Sequence, residues 1–289
     1  MINKFVIGTA QFGFKYGVSN YSIAKINEVK KIINYCKRNG ISTLDTASSY
    51  GKSEKILGKL VNSKWKIFTK ISRIPKDVSN VDFWVKKNVY KSLNLLKASK
   101  IDTLYLHYPN DLLNSYGAEL HGALKELKRN NIIKNIGISI YQPQELDLLH
   151  GKFNFDVVQV PFNVLDRRIL ESGWLKRLHR EKIKVHVRSI FLQGILLMEK
   201  NILPKYFKQW NNLWVKWNQW LEKNQLSSLE ACLGYILTIP NIDKIIFGVN
   251  NFSQLKSIIN IINQNKLVHV PKHFSIHNQQ LINPSNWKS

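Results

Sequence analysis

Residues 26–46 read INEVKKIINYCKRNGISTLDT, and the period of the pattern changes part-way through. Ile26, Val29, Ile33 and Cys36 recur at intervals of three and four, which places them on one side of a helix. Gly40 then stops that helix, because glycine accepts the positive φ that closes a last turn. STLDT at 42–46 follows at once as a short β-type run. The same alternation repeats on both sides of this stretch. Strand-type runs are FVIGT at 5–9, KIFTKI at 66–71, DTLYLH at 102–107, IKNIGI at 133–138, DVVQV at 156–160, IKVHV at 183–187 and KIIFGV at 244–249. Helical segments are expected at 24–39, 52–60, 82–97, 117–130, 142–149, 168–180, 226–238 and 252–264. Eight strand–helix pairs with no linker or break in composition predict an α/β fold, a single (β/α)8 TIM barrel over residues 1–289. Residues 194–225, between the seventh strand and its helix, are too long for a plain connection and predict a long helical insertion.

Composition narrows the class of function. The 289 residues include 43 Lys+Arg against 19 Asp+Glu, a net charge of +24. Lys outnumbers Arg and keeps company with many Asn and Ile, a bias that AT-rich coding produces without selection for a partner. The basic residues are scattered from Lys4 to Lys288 rather than gathered in one dense stretch with aromatics, which argues against nucleic acid. The apolar runs are far shorter than a membrane span needs, and MINKFVIGTAQFG lacks the apolar core of a secretory leader, so a cytoplasmic protein is expected. Cys36 and Cys232 sit among apolar, helix-like neighbours and read as reduced thiols. His269, His273 and His277 are spaced by four, but Pro271 breaks a helix there and no carboxylate accompanies them, so no metal is expected. Trp210, Trp214, Trp217 and Trp220 fall on one face of a helix in the insertion. Either they pack on the barrel, or they form an aromatic wall over a substrate or a subunit interface.

In such a barrel the chemistry belongs at the C-terminal ends of the strands. Asp45 ends the second strand, Tyr50 follows it, Lys70 closes the third and His107 closes the fourth. With LDTASSYGKSEKILG at 44–58 as the most specific part, the sequence resembles the aldo-keto reductase superfamily over nearly its whole length. The resemblance implies a barrel that reduces aldehydes and ketones with NADPH, or NADH, through a tetrad of Asp45, Tyr50, Lys70 and His107. Elementary chemistry supports that set independently. Hydride transfer to a carbonyl builds negative charge on oxygen, so a proton donor must stand within hydrogen-bond reach. Tyr50 is the candidate acid, Lys70 the charge that stabilises its phenolate, Asp45 the partner that holds Lys70, and His107 the group that orients the carbonyl.

The resemblance also implies cofactor positions. Gly8, Thr9 and Ala10 match the segment that approaches the nicotinamide ribose, with Asp45 nearby. Ser139 and Gln159 match the carboxamide contacts, although Ile140 stands where the family usually has Asn. Arg188 replaces the usual aromatic ring against the nicotinamide, and a planar guanidinium can stack similarly. Ser189, Leu192 and Gly194 match the pyrophosphate loop. Gly248, Asn250 and Gln254 in GVNNFSQLKSI match the adenosine-phosphate motif, with Ser257 and Ile258 replacing its Glu and Asn. Lys256 reads either as a partner for a 2′-phosphate or as a surface lysine. Asp166, Arg167 and Arg168 follow the sixth strand, either as an exposed helix start or as a clamp for an anionic substrate. The partner expected is a small carbonyl compound, with a sugar, a nucleotide-linked sugar or another anion among the candidates. Two other readings stay open: a sugar dehydrogenase running the same chemistry oxidatively, and a cofactor-binding regulatory barrel with little turnover.

Overall fold

The computed structural model describes residues 1–18 and 22–287. Eight parallel strands close in sequence order: β1 (Phe5–Gly8), β2 (Thr43–Asp45), β3 (Lys66–Ile71), β4 (Ile101–Leu106), β5 (Ile133–Ser139), β6 (Val157–Pro161), β7 (Lys184–Arg188) and β8 (Lys244–Gly248). This is the (β/α)8 TIM barrel that the alternation predicts, and each strand lies within a residue of its expected span. Register sets the positions that matter at the C-terminal rim. Gly8 of β1 pairs with Asp45 on one side and Gly248 on the other. Lys70 lies beside Tyr105, and Ser139 beside Gln159.

Helices cover the barrel at Ile26–Arg38, Ser53–Leu60, Val81–Leu96, Gly117–Arg129, Gln144–Leu149, Trp174–Arg180, Ser228–Leu237 and Phe252–Gln264. Their apolar stripes, such as Val29, Ile32, Ile33 and Cys36, meet the outer faces of the strands in one continuous core. Inside the barrel Val6, Phe68, Tyr105, Val157 and Ile246 form a second cluster. The buried His186 joins it, stacked on Phe68 at 5.0 Å and bonded through Nδ1 to the Tyr105 hydroxyl at 2.6 Å. One helix departs from expectation. The span 168–180 is split into Arg168–Glu171 and Trp174–Arg180 by Gly173, whose φ of +79° breaks helical geometry.

The insertion folds into short 3-10 turns and the helix Asn211–Lys223. Trp214 and Trp217 are buried, Trp217 and Trp220 pack on Phe274 at 5.3 and 5.9 Å, and the Trp214 indole donates to the Phe207 carbonyl at 2.9 Å. The stripe thus packs against the C-terminal segment. None of the four indoles lines the cleft described below, so the aromatic wall over a substrate is not what these residues build. No described helix is long and apolar enough to cross a membrane.

Candidate active site

The loop after β2 is held by close backbone packing. Gly13 approaches so tightly that a Cβ there would lie 1.7 Å from the Tyr50 carbonyl oxygen, and Gly51 turns with φ of +53°. Serine and threonine hydroxyls lock the base of the loop: Ser53 Oγ lies 2.8 Å from Thr9 Oγ1 and 3.1 Å from Thr46 Oγ1. Tyr50 is thereby presented at the rim, its ring 6.1 Å from that of His107 and 5.7 Å from Phe14.

Beneath it lies a buried ion pair. Lys70 Nζ donates to Asp45 Oδ1 at 2.5 Å and to the Thr46 carbonyl at 3.0 Å, and both side chains are almost fully enclosed, Lys70 at 1% and Asp45 at 3% exposure. The other Asp45 oxygen accepts from the Gln159 amide at 2.7 Å. A carboxylate satisfied on both oxygens tolerates burial that an isolated one would not. The Lys70 ammonium sits 5.1 Å from the centre of the Tyr50 ring.

Burial dominates the titration of this group. It lowers the Lys70 pKa, opposed by Asp45. It raises that of Tyr50, reinforced by the Asp45 charge and opposed by Arg188, so the phenol is protonated at neutral pH. His107 is pushed down to about 3 by burial and then by the Lys70 and Arg188 charges, which makes its imidazole neutral under ordinary conditions. Its Nδ1 lies 3.4 Å from Ser49 Oγ.

Tyr50 and Asp45 open onto a cleft of about 710 Å³ that runs over the rim to Asn250 and Ile258. Of the residues expected from the sequence, Gly8, Thr9, Ala10, Arg188, Ser189, Gly194, Gly248, Asn250 and Gln254 also line it. Ser139 and Gln159 do not; they are buried below, where Gln159 holds Asp45. The Leu192 side chain is fully buried and belongs to the core, so only its backbone is available to the loop after β7. Lys256 is exposed and lies outside the lining.

Arg167 and Arg168 are a second correction, to both of their readings, because each is buried rather than exposed or aimed at a ligand. Arg168 forks onto Asp166 with two bonds of 2.7 Å and donates to the Tyr141 carbonyl. Arg167 donates to the carbonyls of Val164, Val270 and Pro271 and lies over the Tyr235 ring at 4.5 Å. Arg167 thus ties the C-terminal segment to the barrel, while Arg168 ties the loop after β6 to the loop after β5. Among the described residues no group of His, Cys, Asp and Glu is arranged to hold a metal, and His277 instead meets Glu171 at 3.0 Å.

The structure adds residues that the sequence did not single out. Tyr16 lines the cleft and stacks edge-on against Phe14 at 5.6 Å; the aromatic run FGFKYG just after β1 was its available signal. Ser227 and Ser228 line it too, at a helix start marked by the S-x-x-E box of Ser227 and Glu230. The segment after β7 is bent by left-handed φ at Ser189, Leu192, Gln193 and Gly194. Such a turn of the backbone presents N–H groups to an anion. The cleft's volume is in the range of small-molecule sites, and at Gly248 the Gln11 amide packs where a Cβ would stand, 2.5 Å away. These features suit an extended, phosphate-bearing ligand laid across the rim.

A closed parallel barrel that gathers a buried Lys–Asp pair and a phenol at the mouth of one cleft has the layout of a small-molecule enzyme. The family model described as the Aldo/keto reductase family matches residues 4–269, and the chain belongs to that family. It is 27% identical over 288 residues to the uncharacterized oxidoreductase YqkF of Bacillus subtilis, covering 88% of this chain and 92% of that one. D-arabinose 1-dehydrogenase of Saccharomyces cerevisiae is 31% identical over 153 residues, 48% of this chain and 43% of the yeast protein. In fold the chain is similar to the holo form of the aldo-keto reductase AKR11C1 of Bacillus halodurans, with a TM-score of 0.74 at 21% identity over 92% of this chain and 88% of that one.

Proposed function

We propose that the protein reduces a polar aldehyde or ketone, with Tyr50 as the general acid. The observation that carries this reading is the Tyr50 phenol set beside the buried Lys70–Asp45 pair at one end of the cleft. A reduced nicotinamide, when bound along the cleft past Gly8, Ser189 and Gly248, would supply the hydride for the carbonyl carbon. As charge grows on the carbonyl oxygen, Tyr50 gives it a proton, and the phenolate left behind is stabilised by the Lys70 ammonium. Asp45 keeps Lys70 charged against the cost of burial, and Gln159 and Lys70 together fix the carboxylate. Neutral His107 orients the carbonyl without competing as an acid. Arg188, half-buried, lines the same end of the cleft, stacked on Tyr141 at 4.6 Å and bonded to the Ile140 carbonyl at 3.1 Å. It pairs with no described carboxylate, which favours a substrate carrying negative charge near its carbonyl.

The oxidative direction on a sugar is the second reading, favoured by the likeness to a D-arabinose 1-dehydrogenase over about half the chain. The same phenol then acts as base once deprotonated. Tyr50→Phe tests the common core of both readings. The expected result is a fall in kcat of about 10²–10⁴-fold with cofactor affinity unchanged. Normal turnover by the variant would refute the assignment.

A further inference from the structure

The barrel has a second mouth, at the N-terminal ends of its strands and away from the cleft, and there the side chains turned toward the axis are cationic. Val6, Phe68 and Ile246 belong to the interior cluster, and His186 stacks on Phe68. Two residues back along the chain from these four stand Lys4, just before β1, Lys66 on β3, Lys244 on β8 and Lys184 on β7. Side chains two apart on a strand share a face, so the lysines of β3, β7 and β8 follow the interior residues toward the axis. The Lys4 ammonium joins them, donating to the Ile242 carbonyl at 3.1 Å, while that of Lys244 donates to the Asn3 carbonyl at 2.5 Å. Burial lowers the Lys244 pKa and the Lys66 charge lowers it further, with Asp243 opposing and Lys184 and Lys4 adding to the fall. Since β3 and β8 are not neighbours, the influence of Lys66 on Lys244 runs across the mouth.

The carboxylates at this end are held elsewhere. Asp102, Asp156 and Asp243 alternate with the axis-facing positions, and they accept the backbone N–H groups of Ile67, Ile136 and Val185 at 3.1, 2.8 and 2.8 Å. Asp156 is also paired with Lys128, and Glu181 with Arg177 and His150. Among the described residues, none of the four mouth lysines forms an ion pair. With the three aspartates and Lys128 counted in, the mouth keeps an excess of positive charge. Lys66 and Lys184 are exposed, and Lys4 and Lys244 are half-buried. An ammonium has three donors, so Lys4 and Lys244 keep N–H groups beyond those given to the backbone.

We propose that this mouth binds a compact polyphosphate anion through Lys4, Lys66, Lys184 and Lys244, at the end of the barrel opposite the cleft. Ammonium groups are point charges on flexible stems, which suit phosphoryl oxygens. Their convergence on one axis favours a short anion of several charges, within reach of several lysines at once, over a single phosphate or an extended nucleic acid. Binding also relieves the repulsion among the lysines and so stabilises the folded state. Free polyphosphate and the phosphate chain of a nucleotide share this chemistry.

Calorimetric titration of the whole protein with inorganic triphosphate and with ATP, free of divalent metal and at about 0.15 M salt, tests the site. Triphosphate is expected to bind, about tenfold or more weakly after Lys66→Gln with Lys184→Gln, and within a few-fold of the wild type after Lys66→Arg with Lys184→Arg. Lys30→Gln with Lys216→Gln removes the same charge from exposed helix positions elsewhere and should change affinity about twofold or less. ATP bound no more tightly than triphosphate, with the same loss in the first pair, identifies free polyphosphate as the ligand; ATP bound more tightly with that loss identifies a nucleotide. None of these lysines lines the cleft, so the outcome is separate from that for carbonyl reduction. Absence of triphosphate binding, unchanged affinity in the Lys66 and Lys184 pair, or equal losses in the two Gln pairs overturns the proposal, the last by assigning the attraction to the net charge alone.

Discussion

His186 allows the electrostatics under the active site to be measured by folding stability alone. Its ring is buried in the barrel interior against Phe68, and burial, with smaller contributions from Lys244 and Lys184, pushes its pKa down to about 3. An unfolded chain binds that proton near pH 6.5. Between these values the unfolded state holds more protons than the folded one, so stability rises with pH across the window and is lost as pH falls through it. At about 1.36 kcal/mol per pH unit below the unfolded pKa, acidification from 7 to 4.5 costs on the order of 2–3 kcal/mol through His186. His186→Phe removes this dependence but leaves the Tyr105 hydroxyl without its 2.6 Å partner, a loss of about 1–3 kcal/mol at neutral pH. Urea denaturation of both proteins at pH 7, 6, 5 and 4.5 at fixed ionic strength gives the difference between them, in which His107 and the net positive charge cancel. That difference should change by on the order of 2–3 kcal/mol over the range, with the variant gaining on the wild type as pH falls. Parallel curves would show that His186 is not held neutral, and the account of burial beneath Lys70 would fail with it.

Arg168→Met strands the Asp166 carboxylate, which is 1% exposed, and should destabilise the fold by about 3–5 kcal/mol in denaturant titration. The ratio of kcat/KM for anionic and neutral aldehydes should stay unchanged in that variant; a changed ratio would return Arg168 to the substrate site. Arg188→Met should lower kcat/KM for a carboxylate-bearing aldehyde about tenfold more than for a neutral one. Equal losses on the two would assign Arg188 to the cofactor or to Tyr50.

The barrel was legible because each repeat announces itself locally. The switch from a three-and-four apolar spacing to a short β-type run, as at 26–46, depends only on which face of each element is buried, and eight such switches leave little choice of architecture. Asp45, Tyr50, Lys70 and His107 were legible for a related reason: they sit at or just past strand ends, and parallel strands bring those ends to one rim. Gly173 shows where local pattern stops, since a glycine inside an apolar repeat does not reveal whether its φ is positive.

Charge is where sequence and tertiary structure part. The sequence determined the barrel, the insertion, the overall excess of Lys and the polar residues available at the rim. Which of those charges face a ligand was decided only by packing. Arg167 and Arg168 follow a strand end as a binding pair would, yet the C-terminal segment folds onto Arg167, Asp166 and the Tyr141 carbonyl hold Arg168, and most of their donors are taken up within the chain. Lys256 lies within the adenosine-type motif but on the exposed side of its helix, and Glu28, more than two hundred residues away in the chain, reaches the amide end of that helix instead. Pairings at that separation carry no local signal, because a charged side chain's partner is set by which elements become neighbours when the barrel closes.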